Sequence, residues 1–261
     1  MLWRTDEVVL FALILAGFLA ALDVGFRLAQ RSRERDDDGS HRAHIVSIQS
    51  SVLGLLALLL GFTFAMAVSR FDARKALVLE EANAIGTAAL RATLLPAPHD
   101  RESRALLRSH VDARLAFFAA GTDTARLESA EKQASAIEAQ LWSHAMAAAA
   151  LDARSVPTGL FIEALNEVID IQEKRRVALD NHVPELVIYL LALVSIGALT
   201  ITSYAAGLSA RRRFKSNLAL ALLIAVVFVV ILDIDRPRRG LIQVSQDSLI
   251  RLKAALSAAQ P

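Results

Sequence analysis

The sequence predicts an all-α membrane protein with four transmembrane helices, a helical-bundle insertion between the second and third, and a C-terminal amphipathic helix. Three observations carry this expectation. Of the 261 residues, 54% are hydrophobic and the mean hydropathy is +0.42, above the range usual for soluble domains. Four apolar runs approach or exceed the about 20 residues needed to cross a hydrocarbon core. The charged residues, 21% of the chain, gather between those runs, so a sizeable part of the chain also faces water.

The runs extend over Val8–Ala29, Ile45–Val68, Pro184–Leu208 and Leu218–Ile234. The first is not read as a cleaved signal, because MLWRTDE ahead of it holds two acids and one Arg where a signal has a positive start. The chain then divides into a first transmembrane hairpin (1–68, spans 8–29 and 45–68) and a soluble helical insertion (69–182). A second hairpin (183–235, spans 184–208 and 218–234) and a soluble tail (236–261) follow.

The junction between the second run and the insertion, GFTFAMAVSRFDARKALVLEEANAIG, passes from apolar to charged sequence with no Pro and no turn signal between Gly61 and Gly86. One uninterrupted helix over Ile45–Leu95 is expected, about 75 Å long at 1.5 Å per residue. Phe71, Val78, Ile85 and Ala92 recur every seven residues along it, a narrow apolar stripe. Pro96 and Pro98 end it. A second helix is expected from an Asp100 cap to Gly121, with Leu107, Val111, Arg114, Leu115 and Phe118 on one face. A third, Ala-rich, spans about Asp123–Ala153. A fourth opens at Ser155 with Pro157 in its first turn and runs to the NHVP stretch. LIQVS (Leu241–Ser245) is the one strand candidate, before an amphipathic helix over Gln246–Ala258. DDDGS (Asp36–Ser40) is the expected flexible spot.

Orientation follows from charge. The loop after run one holds four Arg, and the loop after run three holds Arg211, Arg212, Arg213 and Lys215 with no acid. Short basic loops stay cytoplasmic, which puts the N-terminus, insertion and C-terminus outside the inner (plasma) membrane. Arg70, Arg74, Lys75, Lys174, Arg175 and Arg176, flanking the bilayer on the insertion side, argue the other way, as do Arg236, Arg238 and Arg239.

Several function classes find no support. A net charge of +2 gives no electrostatic case for nucleic acid. Without cysteine there are no disulfides, thiolate metal sites or Cys nucleophiles. The six His are scattered, and His41 and His44 have no carboxylate helix beside them. No phosphate-binding loop, dinucleotide Gly motif, GxSxG or HExxH is present, so neither an enzyme activity nor a cofactor nor a metal is expected.

GFTFAMAVSRFDARKALVLEEANAIGTAALRATLLP (Gly61–Pro96), ALNEVID (Ala164–Asp170) and DIDRPRRGLIQVSQDSL (Asp233–Leu249) resemble blocks of a bacterial bestrophin-like membrane family of unknown function. The resemblance covers nearly the whole chain. It implies a relation to bestrophins, oligomeric anion channels with four membrane helices and a helical soluble region, whose termini are cytoplasmic. The implied function is an oligomeric ion channel or transport-related pore in the bacterial inner membrane, with the lipid bilayer, further copies of the chain and small ions as partners. The alternative is a non-conducting sensor or scaffold whose insertion binds a partner.

Candidate residues follow from both lines. Ser50, Gly54, Ala57, Gly61 and Ala65 put small side chains on one face of run two, suited to close helix packing or to lining a pore. Gln49, Ser50 and Thr63 are the polar lining candidates. Phe62 and Phe64 are the constriction candidates, since apolar rings gate by dewetting and bestrophins carry a constriction on the second span; lipid contact is the plainer role. Asp23 lies within run one, a costly place for a charge, with Arg27 one turn on to pair with it. Asp233, Asp235 and Arg236 end run four, as a charged mouth or as an anchor. Glu80 with Asn83, beside Glu81, is positioned to bond Arg residues of a neighbouring helix, as are Asn166, Glu167 and Asp170.

Overall fold

The structure, a computed structural model, describes residues 7–33, 39–208 and 214–258. Eight α-helices make up the described chain: α1 (Glu7–Arg33), α2 (Gly39–Ala92), α3 (His99–Ala119), α4 (Thr124–Leu151), α5 (Val156–Asp180), α6 (Glu185–Leu208), α7 (Phe214–Ile234) and α8 (Asp247–Ala258). No strand occurs among the described residues, and Leu241–Ser245 is irregular. Helical stretches within Val8–Ser32, Arg42–Ala92, Val156–Leu208 and Lys215–Ile234 are long and apolar enough to cross a membrane.

α2 is a single helix of 54 residues, unbroken at Val68–Ser69. It starts at Gly39, earlier than expected, because Gly39 and Ser40 open it; residues 34–38, which include the rest of the DDDGS stretch, lie outside the described residues, as do Arg211–Arg213. It stops at Ala92, three residues short of the expected end, in a turn over 93–95 ahead of Pro96. The chain forms two compact units, one from the described residues of Met1–Ser69 with His182–Arg236, the other from Arg70–Asn181 with the described residues after Arg236.

In the apolar unit α1 packs on α6 and α7. The α1–α6 seam is close because small residues line it. A Cβ on Gly25 would lie 2.2 Å from the Thr200 carbonyl oxygen, and one on Gly207 would lie 2.5 Å from the Ala29 Cβ. Small residues of this kind let membrane helices meet backbone to backbone. The Ser203 hydroxyl donates to the Leu22 carbonyl at 2.6 Å across the seam, and Phe18 meets Phe228 edge-on at 6.4 Å.

The second unit is a helical bundle with its own core. Val78, Ile85, Leu107, Val111, Leu141, Phe161, Leu165 and Val168 are all buried there; each such side chain contributes about 1.5–3 kcal/mol. On α4 the buried positions are Ala130, Ala134, Ile137, Leu141, Ala145 and Ala148. This mostly small stripe seats α4 closely between α3 and α5. Caps set the helix ends. Asp123 accepts from the Ala125 and Arg126 amides at 3.1 Å, and Ser155 accepts from Thr158 at 3.3 Å. Asp100 is not a cap: α3 begins at His99, which leaves Asp100 inside the first turn. There a carboxylate still favours the positive end of the helix dipole. Gly121 adopts φ +56° just past α3, a conformation that glycine takes without strain. α8 buries Leu249 and packs Leu252 and Leu256 on the core.

Gly25→Ala is expected to lower the stability of the purified protein in detergent by about 1–3 kcal/mol, since the added carbon meets backbone. Gly17→Ala, which would meet nothing within 4 Å, should not lower the unfolding temperature in the same thermal melt.

Candidate functional site

The apolar part of α2 is the least covered of the four spans. Within the protomer 17% of its apolar window is buried, against 28%, 39% and 44% for the other three. Its inward face is set by Leu56, Thr63 and Ala67, all buried. At about 100° per residue, Ser50, Gly54, Ala57, Gly61 and Ala65 fall on another face, roughly 140° round from that one. All five are exposed, and a Cβ on Gly54 or Gly61 would meet nothing within 4 Å.

This geometry separates the residues singled out on the sequence. Ser50 lies on the open face, its hydroxyl donating to the Val46 carbonyl at 3.0 Å. Thr63 lies on the inward face, 2% exposed, and donates to the Leu59 carbonyl at 2.7 Å. Gln49 is half-buried and shares Thr63's side of the helix. Phe62 and Phe64 are 63% and 41% exposed, but two residues apart they flank the open stripe on opposite sides. Phe64 is about 60° from Gly61 and Phe62 about 100°.

The ionisable candidates of the apolar unit have structural partners. Asp23 pairs with Arg27 at 2.7 Å on the exposed side of α1. Asp233, Asp235 and Arg236 are buried at the end of α7. The Asp235 carboxylate accepts the Val183 amide at 2.7 Å, and the His182 Nδ1 lies 2.9 Å from the Asp235 carbonyl oxygen. Asp235 thus ties the end of α7 to the chain leading into α6, where a carboxylate also meets the positive end of the helix dipole.

A buried polar cluster lies in the helical bundle, around Glu81. Glu80 and Asn83 are exposed, whereas Glu81 is fully buried. The Arg-binding role expected of Glu80 and Asn83 is taken instead by Glu81. It sits three residues after Val78 and four before Ile85, on the side of α2 that carries the apolar stripe, whereas Glu80 points away. Arg114 of α3 donates through Nε to Glu81 at 2.6 Å, and Arg175 of α5 donates through Nη1 to the other carboxylate oxygen. Arg175 also donates to Gln246 at 3.0 Å and lies over the Phe118 ring at 4.0 Å. Arg238 stacks on Phe117 at 4.7 Å. Burial lowers Arg175 to about 9 and Arg114 to about 10, so both stay cationic at neutral pH and Glu81 bridges two positive charges. Arg74 donates to the Ala178 and Asn181 carbonyls, both at 2.9 Å, satisfying the last turn of α5. Beside Arg114 lies a cavity of about 220 Å³ lined by Phe117, Glu131, Glu138, Gln172 and Arg176 among others. Asn166, Glu167 and Asp170 are exposed on α5 and take no part in the cluster.

A family model described as the Bestrophin-like domain matches residues 13–249. The chain belongs to the bestrophin-like family. Its fold matches solved structures along almost its full length. One crystal structure of a bacterial bestrophin homologue from Klebsiella pneumoniae, a single-residue variant, is 16% identical with a TM-score of 0.66, covering 98% of this chain and 100% of that one. A second crystal structure of a Klebsiella pneumoniae bestrophin homologue is 15% identical with the same TM-score and coverage. A crystal structure described as that of a membrane protein is 15% identical, with a TM-score of 0.67 over 98% and 99% of the two chains. No curated protein matches the chain. Family and fold together make this bestrophin-like chain a membrane protein.

Glu81→Gln should destabilise the bundle by about 3–5 kcal/mol, because it leaves two buried guanidinium groups without their anion. Glu80→Gln, one residue away and exposed, is expected to stay within about 0.5 kcal/mol. Denaturant unfolding of the detergent-solubilised protein compares the two.

Proposed function

We propose that the protein assembles with further copies of itself into a pore for small ions in the bacterial inner membrane, with the open face of α2 along the path. The observation that carries this reading is that face itself: five small residues from Ser50 to Ala65 in an apolar span, exposed in the protomer, with open space at Gly54 and Gly61. Small residues keep a path wide where several helices converge. Phe64, at the border of the stripe, is the better placed constriction residue and Phe62 the second. Ser50 is the polar lining residue this face supports; Thr63 and Gln49 lie on the other side. Membership of the bestrophin-like family and the fold shared with bacterial bestrophin homologues support the same reading.

The alternative is a non-conducting sensor or scaffold, for which the uninterrupted α2 offers a mechanical link between an apolar and a water-facing segment. Reconstitution separates the two. Liposomes holding the purified oligomer should pass ions; silent liposomes with the oligomer intact favour the scaffold. Phe64→Ala should raise the flux by about tenfold or more, as loss of an apolar constriction does. Phe62→Ala should raise it less, and Thr63→Val should leave it unchanged.

For orientation, the two basic loops of the sequence support a reading in which the insertion and both termini lie outside. The buried Arg74 and Arg175, committed to carbonyls and to Glu81, are engaged within the bundle. Asp123→Cys, in a chain with no other cysteine, should react with an impermeant thiol reagent added to intact cells. Protection from it would place the bundle in the cytoplasm, as in bestrophins.

A further inference from the structure

We propose that His99, Glu102 and His144 form a binding site for a divalent transition metal ion, with zinc as the best match, in the helical bundle. His99 and Glu102 occupy the first turn of α3, three residues apart and so on one face. His144 comes from α4, 45 positions after His99. The two imidazole Nδ1 atoms approach to 3.1 Å, and the His144 Nδ1 lies 3.2 Å from the Glu102 Oε2. One ligand atom from each of the three lies within 4.8 Å of the others. Tetrahedral zinc, with bonds of about 2.0–2.2 Å to His nitrogen and carboxylate oxygen, holds its ligand atoms about 3.3 Å apart. The two separations at His144 are close to that value.

Proton counting points the same way. The His144 Nδ1 faces two partners at once. If it carries a proton, that proton can go to Glu102, and the facing His99 Nδ1 then either has only a share of it or, if itself protonated, meets another N–H. If it carries none, its lone pair faces the carboxylate. A neutral imidazole carries its one ring proton on one of its two nitrogens, so a single His144 Nδ1 proton has to be divided between the Glu102 oxygen and the His99 Nδ1. A cation among them accepts all three lone pairs. Two imidazoles and a carboxylate are borderline-soft N and O donors of the kind zinc takes. The His rings are half-buried and Glu102 is exposed, so a fourth position opens to water. The site clips the start of α3 to the later part of α4.

The closest spacing signal in the sequence is His-x-x-Glu at 99–102, and the third ligand comes from another helix, so no metal was expected. The purified full chain in detergent, stripped with a chelator and dialysed, is titrated with zinc against a chromogenic competitor. One zinc per protomer is expected, with Kd below about 10 μM and a rise in Tm. His99→Ala and His144→Ala should each weaken binding by about 100-fold or more, and Glu102→Gln by about tenfold. His144→Ala should also abolish the zinc-dependent rise in Tm while leaving the oligomer size as in the parent. His44→Ala, away on α2, should bind like the parent. No saturable binding up to about 100 μM zinc, parental affinity in both His99→Ala and His144→Ala, or an equal loss in His44→Ala would each overturn the assignment.

Discussion

One buried carboxylate organises the helical bundle. Glu81 on α2 holds Arg114 of α3 and Arg175 of α5 at once, and Arg175 carries the bond on to Gln246 ahead of α8. Charges this deep are tolerated only with their hydrogen bonds complete, so each partner fixes the position of the next. The aromatic faces of Phe117 and Phe118 complete the enclosure by stacking on the guanidinium groups. The apolar core around Val78, Ile85 and Phe161 supplies stability without a preferred register. The ion cluster supplies register, since a shift of α3 or α5 by one residue would strand a charge.

Much of the fold was legible because its signals are local. The absence of Pro and of turn residues between Gly61 and Gly86 foretold the run of α2 through Val68–Ser69, and Ser155 and Pro157 marked the start of α5. Local signals also misled where local chemistry was ambiguous. Leu241–Ser245 alternates like a strand but has no partner strand among the described residues, and it forms an irregular link instead. Asp100 looks like a cap, yet the helix starts one residue earlier.

The site was less legible because its signals are not local. Glu81 could have been separated from Glu80 by its phase on the heptad stripe, but Arg175 lies 94 positions away and nothing in ALNEVID points to it. On α2 the small stripe was readable by spacing, whereas its relation to the inward face was not. That relation depends on which side Leu56 and Thr63 turn toward, and it moves Thr63 and Gln49 away from Ser50. The imidazole pair of α3 and α4 is likewise a product of packing.

The glycine seam between α1 and α6 bears on how the protein is made. In chain order α1 finds its principal neighbour in a segment that begins at Glu185, so α2 to α5 are made between the two. Gly25 therefore meets the Thr200 carbonyl only once α6 has been made. The close seam of the apolar unit is thus a contact between segments separated by more than half of the chain.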